Sequence, residues 1–259
     1  MKYSYESISI SPMPFLRKRD IKVYLPINYH QTKRLFPVIY LHDGEKFMAS
    51  AEIFDDQQWN IQPFLEQNGE FIIVSIASVP EYQLSEYAPF PIEEDALHFL
   101  NNQNIPIQQH RPEGAGYIAW IVQELKPFID KHYQSNPHKS GLAGINMGAV
   151  VSLYAQLKYP DIFLFSGILA PSYWFSPENL KNFIKRSSMT PKNSIYTYED
   201  FHSATHGSHR KYFLEISDLL QFKTPSKIHI DQHSSREYHT HNIPNYFIQS
   251  MFHHFKTTL

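Results

Sequence analysis

The sequence predicts an α/β fold in which helices cover both faces of a mostly parallel sheet. Short apolar segments of strand length alternate along the chain with longer segments whose apolar residues recur at helical spacing. Such alternation is typical of parallel sheets, because each pair of parallel strands needs a crossover helix. No internal repeat or linker divides the chain, so we expect a single domain over residues 1–259.

The strand segments are short and rich in apolar residues. "IKVYLP" alternates apolar and polar residues, as a half-buried strand does, whereas "FPVIYLHDG" and "FIIVSIASV" are continuous apolar runs that suit strands buried on both faces. "SGLAGI" predicts a short strand of small residues. The predicted strands are residues 21–26, 36–44, 71–79, 140–145, part of 163–174, 194–200 and 226–231.

Three segments predict helices between or after these strands. Residues 116–133 place apolar side chains at helical spacing. Residues 147–160 form a second helical segment, which a proline closes. Residues 243–255 carry a proline near the first turn, where a helix tolerates it, and predict a closing helix.

Composition excludes several classes of protein. The formal net charge is −2 and no long basic run exists, so we expect no nucleic-acid binding. No apolar run reaches the roughly 18 residues of a membrane span, and residues 1–15 lack the basic and apolar regions of a signal peptide. Cysteine is absent, which excludes disulfides and thiolate metal sites. We therefore expect a cytoplasmic protein without membrane association and without a cofactor.

Histidine is frequent, with 15 residues, but its spacing does not favour a metal site. His202, His206 and His209 lie close together, yet the intervening Gly207 favours a solvated loop, so no metal is predicted there. We expect the neighbouring His253 and His254 on an exposed helix face.

Residues with chemical function follow several predicted strands. Ligands of parallel α/β sheets bind at the carboxyl ends of the strands. His42, Asp43 and Gly44 follow one strand, Asn146 follows another, and residues 231–242 form a histidine-rich segment after the last. We therefore expect a site for a small molecule at this edge of the sheet.

The segment "GLAGINMGAV" at residues 141–150 has the glycine spacing of a strand-to-helix turn that presents a nucleophile in hydrolases. Gly144 and Gly148 flank position 146 at two residues on either side, but Asn146 stands where such a turn carries serine. Asparagine tolerates the positive φ of this turn, yet its amide nitrogen is not a nucleophile. No other serine in the chain lies between glycines at this spacing.

These residues resemble the putative esterase family of α/β-hydrolases, which includes enzymes similar to S-formylglutathione hydrolase, feruloyl esterases and siderophore esterases. The resemblance rests on segments in family order: "IKVYLPINY", "FPVIYLHDGEKF", "LSEYAPF", "GAGYIAWIVQELKPFIDKHY" and "LAPSYWFSPENL". It implies an α/β-hydrolase fold and hydrolysis of a small carboxylic ester or thioester. The chain departs from the family at Asn146, and at Gln83, where family members often carry arginine.

The resemblance also implies the other catalytic groups, in the chain order nucleophile, acid, histidine. Glu199 is the first choice for the acid and Asp200 the second, because "YTYEDF" lacks the glycine that usually precedes the family's glutamate. His233 is the first choice for the histidine, ahead of His239 and His241. A histidine without a serine to deprotonate could still activate water.

Backbone N–H groups of Glu45 and Met147 are implied as the oxyanion hole, which does not depend on the side chain at the turn. Tyr173 and Trp174 belong to a loop that borders the pocket in the family, and His42–Gly44 are expected to line the same pocket.

Two hypotheses about function remain. One is an esterase with weak or altered chemistry, and the other is a non-catalytic protein that binds an acyl or ester ligand, or a protein partner.

Overall fold

The computed structural model describes residues 4–8, 17–47, 70–102, 111–200, 208–223, 228–233 and 243–258, without the side chains of Lys46, Asp200, His233 and residues 243–247. These residues contain a sheet of eight strands. The strands are β1 (Ser4–Ile8), β2 (Ile21–Leu25), β3 (Phe36–His42), β4 (Ile72–Ile76), β5 (Ser135–Asn146), β6 (Phe163–Pro171), β7 (Ser194–Asp200) and β8 (Ile228–His233).

The strand order in the sheet is β1-β2-β4-β3-β5-β6-β7-β8. β1 pairs with β2, and β2 with β4, in antiparallel fashion. The pairs from β4 through β3, β5, β6 and β7 to β8 are all parallel. The mostly parallel sheet predicted from the sequence is therefore confirmed.

Helices connect the parallel strands. The described helices are α1 (Gly44–Phe47), α2 (Gln83–Glu86), α3 (Glu94–Asn102), α4 (Gly114–Trp120), α5 (Lys126–His132), α6 (Met147–Lys158), α7 (Pro177–Arg186), α8 (His209–Lys223) and α9 (Ile243–Thr258). A π-helical turn at Ile121–Leu125 joins α4 to α5. None of the described helices combines the length and the apolar character needed to span a bilayer.

The core has one apolar layer on each face of the sheet. Along β3, Val38 and Tyr40 belong to the layer that includes residues of α4 to α8, whereas Ile39 and Leu41 belong to the layer that includes α9. This alternation follows from the period of two along a strand. Burying each such side chain contributes about 1.5–3 kcal/mol, so both helical layers hold the sheet.

Three strands differ from their predicted extent. β1 was not expected from the sequence, because four of its five residues are exposed and leave no apolar pattern. β5 begins earlier than predicted, at Ser135, which pairs with Phe36 before the register shifts to Ser140 and Val38. β8 continues to His233, two residues beyond its predicted end, and the predicted residues 226 and 227 lie outside the described residues.

Candidate active site

The turn between β5 and α6 has the backbone conformation that the glycine spacing predicts. Asn146 has φ 51° and ψ −117°, is exposed, and makes no side-chain capping hydrogen bond to α6. A Cβ atom on Gly144 would lie 2.6 Å from the carbonyl carbon and 2.7 Å from the oxygen of Gly148. Strand and helix therefore touch through their backbones, which explains why glycine is needed at position 144.

The loop after β3 packs against this turn. Asp43 also has positive φ, 52°, and α1 begins at the next residue. A Cβ atom on Gly148 would lie 3.2 Å from His42 Cβ and 3.9 Å from Asp43 Oδ2. The structure therefore brings together the two segments that carry Glu45 and Met147, whose role as an oxyanion hole stays a prediction.

The Asp43 carboxylate is buried and accepts side-chain hydrogen bonds from Gln83 and Tyr87. Gln83 Nε2 donates to Asp43 Oδ2 at 2.6 Å, and the Tyr87 hydroxyl donates to Oδ1 at 3.3 Å. The Asp43 N–H in turn donates to the Tyr87 hydroxyl oxygen at 3.3 Å. Gln83 stands where family members often carry arginine, so an amide here contacts the carboxylate without balancing its charge.

His42 lies in the interior behind the turn. Its ring is fully buried, and its Nδ1 is hydrogen-bonded to the Tyr117 hydroxyl at 2.8 Å. Burial, and after it the positive charge of Arg19, lower the pKa of His42 to about 3. The imidazole is therefore neutral, and it supports the loop from inside the core rather than from an open surface.

Glu199, the first choice for the acid, lies near the end of β7 and is 1% exposed. Its Oε2 is 2.5 Å from Nε2 of His209, the first residue of α8, which is itself buried. His209 had been expected in a solvated loop, and that expectation is wrong. His202 and His206 lie outside the described residues. The sequence around His209 carries no pattern that points to Glu199, because the contact depends on how α8 packs.

Asp200 and His233 end the neighbouring strands β7 and β8 and are register partners there. Their side chains lie outside the described structure, as do residues His239 and His241. The second choice for the acid and the three choices for the histidine therefore stay predictions.

The segment after β6 lies between the turn at Asn146 and the carboxylate of Glu199. The Ser172 N–H donates to the Asn146 carbonyl oxygen at 3.2 Å. The next residue, Tyr173, is 2% exposed and stacks on Phe213 of α8 at 6.3 Å. Burial, followed by the charge of Glu199, raises the pKa of Tyr173. Tyr173 therefore lies close to Glu199 while its neighbour contacts the turn.

Trp174 is only partly buried and meets Phe99 edge to face at 5.2 Å. It borders a cavity of about 300 Å³ that acidic and aromatic side chains surround. The other lining residues are Glu93, Glu94, Asp95, Pro177 and Tyr212. The Glu93 carboxylate is hydrogen-bonded to the start of α7, because its Oε1 accepts a hydrogen bond from the Asn179 N–H at 3.0 Å.

The remaining histidines form no described metal site. Within the described ranges, no three histidine or acidic side chains are grouped so that they could hold a metal ion. His253 is exposed, as predicted, but His254 is partly buried and its Nε2 is hydrogen-bonded to Ser194 Oγ at 2.6 Å. The expectation that both residues face solvent is therefore wrong for His254, which contacts the first residue of β7.

Solved structures with the same architecture include two hydrolases. An IroE-like serine hydrolase from Shewanella oneidensis is 21% identical with a TM-score of 0.75, and the match covers 98% of this chain and 80% of that one. The siderophore hydrolase EstB from Aspergillus nidulans is 15% identical with a TM-score of 0.70, covering 97% and 94%. These likenesses show that the sheet and its helices form the α/β-hydrolase fold.

Sequence comparison extends the likeness. The chain is 28% identical over 175 residues to the uncharacterized protein YbbA of Bacillus subtilis, a match that covers 67% of this chain. The matched segment spans 64% of the length of that relative, less than two thirds. The sequence model of the family described as "Putative esterase" matches residues 14–252.

Proposed function

Since this chain belongs to the "Putative esterase" family, we propose that its site binds a small carboxylic ester or thioester and has weak or no serine-hydrolase activity. The observation that carries this proposal is the backbone conformation of Asn146. This residue lies at the bend between β5 and α6 and has a φ of 51°. This is the bend that presents a nucleophile in an α/β-hydrolase. The proposed site therefore has the hydrolase scaffold with an amide in place of the hydroxyl.

The chemistry follows from the side chain at the bend. The nitrogen of an amide is delocalised into its carbonyl, so Asn146 does not form an acyl-enzyme as an activated serine does. Its exposed amide offers both a donor and an acceptor to a ligand carbonyl. Asn146 thus has a proposed role in binding rather than in nucleophilic attack.

Binding of the ester carbonyl would rest on backbone groups. The N–H groups of Glu45 and Met147 are the proposed oxyanion hole, and the contact between their two segments supports this assignment. Hydrolases that lose a member of the triad keep about 10³–10⁴-fold catalysis over water from the oxyanion hole and from substrate binding. Activity of the wild type is therefore expected to be low.

The test compares the wild type with Asn146→Ser and Asn146→Ala, using p-nitrophenyl acetate. We expect low turnover by the wild type, a gain of at least about tenfold in Asn146→Ser, and no gain in Asn146→Ala, because only serine restores the nucleophile. A fluorophosphonate probe should label Asn146→Ser and neither of the other two proteins. Fluorophosphonate labelling of the wild type at a serine, together with esterase-like turnover, would overturn the proposal.

A protein that binds an acyl ligand without any catalysis is the second candidate. The exposed amide of Asn146 favours it, because such a group is suited to hydrogen bonding and not to attack. Binding of the amide analogue 4-nitroacetanilide, measured by calorimetry, together with no turnover by the wild type or by Asn146→Ser, would favour this candidate. Turnover that appears in Asn146→Ser would favour the first.

A further inference from the structure

Glu199 and His209 form a buried pair of a carboxylate and an imidazole. Glu199 is 1% exposed and His209 is 8% exposed, and the distance between Oε2 and Nε2 is 2.5 Å. A buried carboxylate needs hydrogen-bond donors, because burial without them costs several kcal/mol. His209 therefore carries a proton on Nε2, and this N–H donates a hydrogen bond to Glu199 Oε2.

The second nitrogen of the ring, Nδ1, is enclosed and has no hydrogen-bond partner among the described residues. A doubly protonated ring would bury this N–H without an acceptor, at the first turn of a helix, where a positive charge is unfavourable. A neutral ring instead leaves a lone pair on Nδ1. The pair then has the parts of a hydrolase acid–histidine couple, namely an orienting carboxylate and a ring nitrogen whose lone pair accepts no hydrogen bond from the described residues.

A second buried polar atom lies beside the same carboxylate. The Tyr173 hydroxyl is enclosed and has no well-aligned hydrogen bond to the described residues, while its ring is close enough to Glu199 for that charge to affect it. Buried polar atoms without partners mark places where proteins hold an internal water molecule. The Tyr173 hydroxyl and His209 Nδ1 are therefore two enclosed polar atoms near Glu199 whose hydrogen bonding a water molecule would complete.

The Glu199–His209 pair is connected to the turn at Asn146 through Ser172 and Tyr173. The Ser172 N–H binds the carbonyl oxygen of Asn146, and Tyr173 follows directly along the chain. Tyr173 contacts Phe213 of α8, the helix that begins with His209. The pair and the turn are therefore parts of the same edge of the sheet.

We propose that His209 is the general base of this site, and that it activates water for direct attack on the ester carbonyl. This step rests on the proposed function, in which the site binds an ester. His209 Nδ1 takes a proton from water as the water oxygen bonds to the carbonyl carbon. The tetrahedral intermediate then expels the alcohol oxygen, and His209 returns the proton to it. Water is thus the nucleophile in place of a serine hydroxyl, and no acyl-enzyme forms.

The test measures hydrolysis of p-nitrophenyl acetate by the wild type, His209→Gln, Glu199→Gln and the control His138→Gln, which changes an exposed histidine. Glutamine at 209 keeps an N–H for Glu199 but has no basic nitrogen. We expect turnover by the wild type above buffer and at least a tenfold loss in the first two variants, since general bases contribute about 10²–10⁴-fold. His138→Gln should retain the wild-type rate.

A second measurement needs no variant. Wild-type turnover should be slower in deuterium oxide, and mass spectrometry during turnover should find no acyl adduct on the protein. An acyl adduct, or an unchanged rate in a folded His209→Gln, would overturn the role of His209 and leave the esterase function standing. Binding of 4-nitroacetanilide without turnover would also overturn it, while neither binding nor turnover would overturn both proposals.

Discussion

At the scale of single residues, backbone strain is concentrated at one edge of the sheet. Among the described residues, the non-glycine positions with positive φ are Asp43, Asn146 and Ala170, at 52°, 51° and 45°. They lie within one residue of the ends of the neighbouring strands β3, β5 and β6. Such residues cost about 1–3 kcal/mol each and cluster at functional sites. The strain therefore supports the location of the site independently of any side chain.

His42 gives a residue-scale prediction about pH. Its pKa is about 3 in the folded protein and 6.5 when unperturbed, so the unfolded chain binds more protons between these values. The free energy of unfolding should therefore fall as the pH drops below 6.5, by up to about 1.4 kcal/mol per pH unit from this group. His42→Asn, which does not titrate, should have a shallower dependence in urea unfolding between pH 6.5 and 4.

The control for this prediction is His138→Asn at an exposed position. This variant should keep the wild-type dependence on pH, because it leaves the buried ring of His42 unchanged. A His42→Asn protein with the same slope as the wild type would contradict the buried, neutral state of His42.

The sequence was sufficient for the parts of the site that depend on local spacing. The bend at Asn146 was predicted because Gly144 and Gly148 lie within a few residues of it. Two side-chain hydrogen bonds were not predicted, because each joins residues of different elements. They are the bond from Gln83 to Asp43 and the bond between His209 and Glu199. Pairings of this kind follow from how helices pack on the sheet, which a residue pattern does not encode.

At the scale of elements, the crossing of β5 and α6 depends on backbone contact. Gly144→Ala would place a methyl group less than 3 Å from the Gly148 carbonyl, and backbone atoms cannot move aside as a flexible side chain can. We expect a loss of about 1–3 kcal/mol in the free energy of unfolding, as for overpacked cores. Urea unfolding measures this loss.

Gly116→Ala is the comparison for this change, since Gly116 lies inside α4, where alanine favours the helix. It should be neutral or stabilising by up to about 1 kcal/mol. Equal stability of Gly144→Ala and the wild type would show that strand and helix are not in such close contact.

The strands that the sequence predicted well are those with a clear apolar pattern. β3, β4 and β7 lie within their predicted ranges, because buried strands carry apolar runs that polar or turn residues bound. The first half of β5 and the whole of β1 are mostly polar or exposed, and pairing with a neighbouring strand makes them strands. That pairing is a property of the sheet and leaves no mark on the local sequence.

At the scale of the whole molecule, an ion network ties the chain before β2 to the helices. Glu86 is fully buried and pairs with Arg19, which is also buried, and with Arg17 at 3.0 Å. Arg17 also pairs with Glu113, just before α4. Segments far apart in sequence are therefore fixed to one another around a buried charge, and Glu86 belongs to the "LSEYAPF" segment that resembles the family.

Glu86→Gln should destabilise the whole fold. The substitution removes the carboxylate that pairs with the buried Arg19, and breaking a buried ion pair by removing one partner costs about 3–5 kcal/mol. Urea unfolding should show this loss at both low and high salt, since buried charges are screened little. Glu178→Gln, which breaks the pair between the exposed Glu178 and the partly buried Lys181, should cost less than about 1 kcal/mol. Similar losses in the two variants would contradict the importance of the buried network.

The bend at Asn146 has a consequence for the history of the gene. Asparagine and serine codons can differ by a single base, and the main chain at this position already has the conformation that a hydrolase turn requires. Ancestors and descendants of this chain could therefore exchange an amide for a hydroxyl in one mutational step, while natural selection acts on an unchanged scaffold.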